Sequence, residues 1–260
     1  MDSQNVSEKG SFYGKRGNQF ERDLVETLNK DQNLVALKQG TLDEDNIYEF
    51  IYKLIVEKLI KNNKIKLENI VNISATNSIP KLLNNGNPKT DIALTIELSS
   101  GKSSIDTISL KATNQKVVSC HEYPAIDFIR VLDCKKTRLA EYLSLFQQFP
   151  SYKGLQNNLK EGYSINEFSQ LLLKKSARLS EWALRGMHDK KNLVEPKLQI
   201  SNYLLIWNNK SEKIGFYSMA KYIKLISEQK PGKLGVPFSW TYPSKRRGKR
   251  IQLKVPILFQ

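Results

Sequence analysis

Asn87-Pro88-Lys89-Thr90-Asp91-Ile92-Ala93-Leu94-Thr95-Ile96, followed by Ile108-Ser109-Leu110-Lys111, is the stretch that decides the fold. Apolar and polar residues alternate in both runs, which is the period of a half-buried β-strand. The polar, glycine-containing link at residues 99–104 predicts a hairpin between them. Antiparallel pairing would bring Asp91, near the start of the first strand, close to Lys111, near the end of the second. We therefore expect a carboxylate and an ammonium side by side at one sheet edge.

The charge balance of the chain indicates a polyanionic partner. The 260 residues include 41 basic and 26 acidic side chains, which gives a formal net charge of +15. Such an excess predicts nucleic acid first and an anionic membrane second. No apolar run is long enough to cross a bilayer, and the N-terminus has no signal-peptide core, so we expect no membrane partner.

Cysteine and histidine usage points to a reducing compartment without a zinc site. Cys120 and Cys134 are the two cysteines, and His121 and His188 are the two histidines. Two cysteines do not make a disulfide framework, and these four residues lack zinc-ligand spacing. We expect a cytoplasmic protein.

The periodicity of the remaining chain predicts an α/β fold in one domain. Apolar residues at helical spacing predict helices at 17–30, 43–62, 125–134, 135–149 and 163–186, the last beginning with a capping box at Ser164 and ending at Gly186. Stretches 63–90 and 112–116 are predicted as loops, and 198–207 with 213–217 as a second hairpin around Asn208-Asn209, followed by a short helix to about 228. We expect a mixed β-sheet flanked by helices, with a catalytic core at about 17–135 and a lobe at about 136–260.

The C-terminal stretch, residues 231–260, is rich in positive charge. It has no acid, and its seven basic residues are Lys233, Lys245, Arg246, Arg247, Lys249, Arg250 and Lys254. The aromatic residues Phe238, Trp240 and Tyr242 precede the basic run. The stretch is either a nonspecific basic arm or a surface that reads DNA.

These motifs together resemble the MspI-like type II restriction endonucleases of the PD-(D/E)XK superfamily. Pro88 and Asp91 take the place of "PD", and Ser109-Leu110-Lys111 takes the place of "(D/E)XK". From these residues alone, a surface ion pair on an ordinary hairpin is the simpler interpretation. The resemblance extends over most of the chain through Gly17-Asn18-Gln19-Phe20-Glu21, Val118-Ser119, Glu122-Tyr123, Trp240-Thr241-Tyr242, Ser244, Gln252 and Lys254.

The resemblance implies a metal-dependent nuclease site on the first hairpin. Asp91 and the backbone carbonyl of Leu110 would bind Mg²⁺, and Lys111 would orient the attacking water. Ser109 departs from the pattern, because the fold usually has Asp or Glu there. Either the Ser109 hydroxyl serves as a weak ligand, or Glu21 of the first helix supplies the second carboxylate; if neither does, the site is inactive.

The resemblance also implies which residues contact DNA. Base edges would meet Ser119, Glu122, Thr241, Pro243 through its backbone, Ser244, Gln252 and Lys254. Phosphates would meet Arg246, Arg247, Lys249 and Arg250, which position the duplex without reading it.

The sequence thus predicts a Mg²⁺-dependent type II restriction endonuclease that cuts double-stranded DNA at a short GC-containing site such as CCGG. The resemblance implies action as a monomer and a cognate DNA methyltransferase in the same system, without direct contact. Two alternatives stay open: a repair or structure-directed nuclease of the same fold, and a catalytically silent DNA-binding protein.

Overall fold

The computed structural model describes residues 18–208 and 210–259, which divide into two compact units that alternate along the chain. Unit 1 contains the described residues up to Asn114 together with Val194–Ser218, and unit 2 contains Gln115–Leu193 and Met219–Leu258. These divisions differ from the predicted core and lobe, which meet near residue 135. The chain leaves unit 1 earlier, after Asn114, and returns to it for the second hairpin.

The described helices and strands are numbered in chain order. The helices are α1 (18–28), α2 (Asp31–Gln39), α3 (Ile47–Asn63), α4 (Ala125–Val131), α5 (Arg138–Gln148), α6 (Tyr152–Asn157), α7 (Ile165–Leu173), α8 (Ser176–Ser180), α9 (Pro196–Gln199) and α10 (Met219–Ser227). The strands are β1 (Ile70–Thr76), β2 (Ile92–Leu98), β3 (Ser103–Thr113), β4 (Val117–Tyr123), β5 (Tyr203–Asn208), β6 (Lys213–Ser218), β7 (Ser239–Thr241) and β8 (Ile251–Pro256). None of the described helices is both long and apolar enough to span a membrane.

A mixed sheet organises unit 1. Among the described residues it has five strands in the order β1-β2-β3-β5-β6, and every neighbouring pair is antiparallel except the parallel pair β3–β5. Helices α1 and α3 bury their apolar residues against it, including Leu24, Leu28, Ile51 and Ile55. The predicted α/β class, a mixed sheet flanked by helices, is therefore confirmed.

Both predicted hairpins of unit 1 form, but their surroundings hold more regular structure than expected. β1 lies inside the predicted loop at 63–90, and β3 continues to Thr113 inside the predicted loop at 112–116, so those two predictions were wrong in part. The second hairpin is shorter than predicted, because the chain forms α9 before β5. Gly17 and Asn209, which belonged to the predicted first helix and second turn, lie outside the described residues.

Unit 2 combines helices with a small antiparallel sheet in the order β4-β8-β7. Aromatic side chains fill its core, and Trp240 of β7 lies near Phe128, Phe146 and Phe168, with ring centroids 5.6–6.1 Å apart. Cys120 and Cys134 are both buried, and no disulfide joins them.

The helix predicted at 163–186 is divided in the structure. Its ends are as expected: the Ser164 side chain accepts a hydrogen bond from the N–H of Glu167, and Gly186 ends the segment with φ 83°. Between them the chain forms α7, α8 and a π-helical turn at Glu181–Arg185. The apolar stripe continues through all three pieces, so periodicity alone does not reveal the breaks.

Candidate active site

The hairpin of β2 and β3 positions the predicted catalytic residues. The antiparallel register pairs Ile92 with Ile108, and the N–H of Asp91 donates to the carbonyl of Ile108 over 2.9 Å. Asp91 therefore stands directly before β2, beside the second half of β3. The Nζ atom of Lys111 lies 3.8 Å from Oδ2 of Asp91, so the expected carboxylate–ammonium pair is present.

Hydrogen bonds from β3 fix the Asp91 carboxylate. Its Oδ2 atom accepts from the N–H of Leu110 over 2.6 Å and from the hydroxyl of Ser109 over 3.2 Å. Hydrogen bonds to an ionised acceptor are stronger than neutral ones, so these two contacts orient the carboxylate better than the longer ion pair does. The backbone of the "X" residue thus has a role that its apolar side chain does not reveal.

The Lys111 ammonium is held by the same strand. Its Nζ atom donates to Oγ of Ser109 over 3.1 Å and to the carbonyl of Leu110 over 2.8 Å. The Lys111 and Asp91 side chains are 23% and 31% exposed, so the pair is more shielded than an ordinary surface ion pair. Ser109 is 2% exposed and lies between the two charged groups as acceptor for one and donor to the other.

Glu21 approaches this cluster from α1. Burial raises the pKa of the Glu21 carboxyl, a hydrogen bond from Asn77 lowers it, and the negative charge of Asp91 raises it further. Nδ2 of Asn77 donates to Oε1 of Glu21 over 3.0 Å. Asn77 follows β1 in a stretch predicted as loop, and sequence reasoning missed it because a single asparagine carries no periodic signal.

The oxygen atoms of this cluster fit a hard divalent cation. Asp91 offers a carboxylate, Leu110 a carbonyl and Ser109 a hydroxyl, and the ammonium of Lys111 already lies beside all three. The described residues contain no group of three or more His, Cys, Asp and Glu placed to hold a metal. A site with one or two carboxylates and a carbonyl suits Mg²⁺, which keeps several waters, rather than zinc.

The small sheet of unit 2 gathers most of the predicted base-contact residues. Ser119 pairs with Lys254, and both Glu122 and Thr241 pair with Gln252. Along β8 the residues Ile251, Leu253 and Val255 are buried while Gln252 and Lys254 are partly exposed, as strand alternation requires. Pro243 and Ser244 continue from β7 into a short 3₁₀ turn at Ser244–Arg246.

The predicted phosphate-contact residues lie on the turn that links β7 to β8. Arg246 and Arg250 each place Nη1 within 4 Å of Oε1 of Glu122, at 3.6 and 3.9 Å. The guanidinium of Arg247 lies over the ring of Tyr242, 5.2 Å from its centroid, and Lys249 is exposed. The turn is ordered by backbone hydrogen bonds from Lys249 and Arg250 to the carbonyl of Arg246.

A held carboxylate and a lysine beside neighbouring strands of a mixed sheet flanked by helices form the arrangement expected of the PD-(D/E)XK class. Residues 2–255 match the family described as restriction endonuclease MspI, and the chain belongs to that family. It is similar to the type II restriction enzyme BsuFI of Bacillus subtilis, with 32% identity over 257 residues that cover 97% of this chain. The chain spans 61% of the length of that relative.

The fold agrees with a solved relative. The structure is similar to the crystal structure of restriction endonuclease MspI in complex with its cognate DNA, with a TM-score of 0.74 and 20% identity. The alignment covers 95% of this chain and 92% of the other. The expected family and fold are therefore confirmed.

Proposed function

We propose that this protein is a Mg²⁺-dependent type II restriction endonuclease, which hydrolyses phosphodiester bonds of double-stranded DNA at a short GC-containing site. The observation that carries the proposal is the convergence of Asp91, Leu110 and Lys111 on one hairpin edge in a member of the MspI family. Two further findings support it: the relative is named a type II restriction enzyme, and the solved relative was crystallised with its cognate DNA.

The chain's own residues divide the chemical work between them. A bound Mg²⁺ supplies charge neutralisation and a water of lowered pKa. Asp91 and the carbonyl of Leu110 would hold the ion, and the two hydrogen bonds to Oδ2 keep the carboxylate in one orientation. Lys111 would orient the attacking water and stabilise the negative charge that develops on the phosphate, because its ammonium is fixed by Ser109 and Leu110.

The fold usually has a second acid at the position of Ser109. In this chain, Ser109 and Glu21 would together take the role of that acid. The Ser109 hydroxyl bridges Asp91 and Lys111, so we propose that it aligns both groups. Glu21 would supply the second carboxylate from α1, where Asn77 restrains one of its oxygens. Burial is the main cause of the raised pKa of Glu21, and the nearby carboxylate of Asp91 adds to it.

Unit 2 would read the DNA. The base-contact set is Ser119, Glu122, Thr241, Pro243, Ser244, Gln252 and Lys254, and the phosphate set is Arg246, Arg247, Lys249 and Arg250. Their placement on one small sheet and its linking turn supports this assignment. Family resemblance further supports a CCGG-type tetranucleotide, action as a monomer, and a cognate methyltransferase that protects host DNA.

A plasmid digest tests the proposal. Incubation with Mg²⁺ should give discrete fragments, and chelation of the metal should abolish them. Sequencing of the fragment ends then gives the site and the cut position. A smear or nicking would indicate a repair or structure-directed nuclease instead. An unchanged plasmid with a gel shift would indicate a catalytically silent DNA-binding protein, which the neutral Ser109 favours.

A further inference from the structure

Glu122 is an acid beside the basic turn that links β7 to β8. Its Oε1 atom lies 3.6 Å from Nη1 of Arg246 and 3.9 Å from Nη1 of Arg250. An acid at this place weakens attraction to phosphate, since it cancels one of the surrounding positive charges. A surface built only for electrostatic binding gains nothing from it, so the carboxylate needs another explanation.

The two arginines are held to different degrees. Arg250 makes two contacts with the same residue, because its Nη1 atom also donates to the backbone carbonyl of Glu122 over 3.3 Å. Its backbone is fixed as well, by an N–H donated to the carbonyl of Arg246 and by the start of β8 at the next residue. The side chain of Arg250 is 38% exposed, against 52% for Arg246. Arg250 is therefore held more firmly than Arg246.

The position of Arg250 continues a row of candidate base contacts. Side chains two apart on an extended chain share one face, and Arg250 precedes Gln252 and Lys254 by this spacing. Two residues of strand advance about 6.6 Å, close to two steps of roughly 3.4 Å along a DNA strand. The row thus matches the repeat of base edges along a groove.

We propose that Arg250 reads a guanine through its guanidinium, and that Glu122 is the positioning residue that holds Arg250 for this contact. Arginine is well suited to guanine, because its planar fork donates to O6 and N7 together. The inference deepens the proposed function and rests on it: Arg250 moves from the phosphate set to the base set, and Glu122 leaves the base set because it acts through Arg250.

The test uses the recognition site found by the digest and binding measurements without metal. Each guanine of the site is replaced in turn by 7-deazaguanine, which removes the N7 acceptor and keeps the base pair. Wild type should lose affinity at one such guanine by about tenfold or more. Arg250→Ala should bind the intact site more weakly, and should no longer respond to that one replacement.

Three further variants sharpen the comparison. Arg250→Lys keeps the positive charge but lacks the planar guanidinium. It should therefore keep its affinity for noncognate DNA and lose most of the response to 7-deazaguanine. Glu122→Gln should weaken cognate binding, reduce the same response, and strengthen noncognate binding, since it removes a negative charge. Lys249→Ala, on the same turn, should weaken both duplexes equally and keep the full response.

Some outcomes overturn the inference and leave the proposed function standing. If wild type discriminates its site and Arg250→Ala keeps the full 7-deazaguanine response at every guanine, Arg250 is a phosphate contact. A recognition site without guanine would overturn the inference together with the GC-containing site of the proposed function. If wild type shows no preference for any duplex, the proposed function itself fails, and the inference fails with it.

Discussion

Removing the Asp91 carboxylate tests the active site at the scale of one residue. Asp91→Ala should reduce cleavage by roughly a hundredfold or more, because the proposed anionic metal ligand is lost. Lys111→Ala should have a comparable effect through loss of the ammonium. Glu97→Gln, an exposed change toward the far end of β2, is the matched control and should cut like wild type. Rates of plasmid cleavage measure all three, and wild-type turnover in Asp91→Ala or Lys111→Ala would contradict the assignment.

Ser109 offers a second test at this scale. Ser109→Val removes both the donor to Asp91 and the acceptor of Lys111 while introducing a side chain that suits a strand, so cleavage should fall strongly. Ser109→Asp should retain activity with a changed metal preference. Glu21→Gln should also lower cleavage if Glu21 supplies the second carboxylate. For each variant, the cleavage rate is measured with Mg²⁺ and with Mn²⁺, and thermal melting is measured as well. Full activity in both Ser109→Val and Glu21→Gln would move the metal site elsewhere.

Asp106 of β3 predicts a pH dependence of stability. Burial raises the pKa of this carboxyl above its usual 3.8, and a hydrogen bond from Asn63 opposes the shift only in part. A raised folded-state pKa means that the native state binds the proton more tightly, so this residue's contribution to stability falls as pH rises from about 3.8 through the folded-state pKa.

Asp106→Asn removes that titration. Relative to wild type, the variant should be more stable at neutral pH, and this advantage should shrink in acid as the wild-type carboxyl takes up its proton. Chemical denaturation of both proteins at several pH values measures the difference. An advantage that stays constant with pH would show that Asp106 does not titrate in this way.

The residues of the active site were predictable to different extents. Alternation in the two strands placed Asp91, Ser109 and Lys111 together, since a hairpin fixes its own register. The N–H of Leu110 and the amide of Asn77 were not predictable. The first is a backbone group without a sequence signal, and the second reaches Glu21 across 56 positions.

At the scale of elements, variants can distinguish the proposed base contacts on the strand pair β4–β8 from the proposed phosphate contacts on the adjoining turn. Lys254→Ala should reduce affinity for cognate DNA by about tenfold while leaving noncognate DNA nearly unchanged, because base contacts discriminate by roughly 1–3 kcal/mol. Arg247→Ala, on the adjoining turn, should weaken both duplexes equally. Dissociation constants for the two duplexes decide between these patterns. If Lys254→Ala lost affinity equally for the two duplexes, β8 would contribute only electrostatic attraction to DNA.

Local patterns predicted hairpins better than they predicted the other strands. β2–β3 and β5–β6 join close neighbours in sequence with clear alternation, whereas β4 carries the polar run Ser119 to Glu122 and was not predicted. The short helix α2 begins with Asp31-Gln32-Asn33 and offers only two buried leucines, so its apolar stripe is faint. The parallel pairing of β3 with β5 has no local signal, because its partners lie far apart along the chain.

At the scale of the whole molecule, the net charge of +15 predicts salt-dependent binding. Removing one side chain that neutralises a phosphate should lower the slope of log affinity against log salt by about 0.9. Arg247→Ala should show this change on noncognate DNA. Lys61→Ala removes the same charge at an exposed position of α3. It should leave the slope unaltered if the slope depends on direct phosphate binding and not on net charge. Identical slopes for the two variants would favour a diffuse effect of net charge.

The alternation of the two units along the chain has a consequence for synthesis. Lys111 lies on β3 and pairs with Ile206 of the parallel strand β5. Ile206 is therefore synthesised about ninety-five residues after Lys111. Contacts so distant in sequence form late, since a long loop must close first. A nascent chain therefore holds its catalytic strand at an unfinished sheet edge until unit 2 has largely emerged. Translation itself would thus delay a complete sheet around Lys111 until residues 115–193, the first segment of unit 2, have been made, while most of the proposed DNA contacts at 241–254 are still to come.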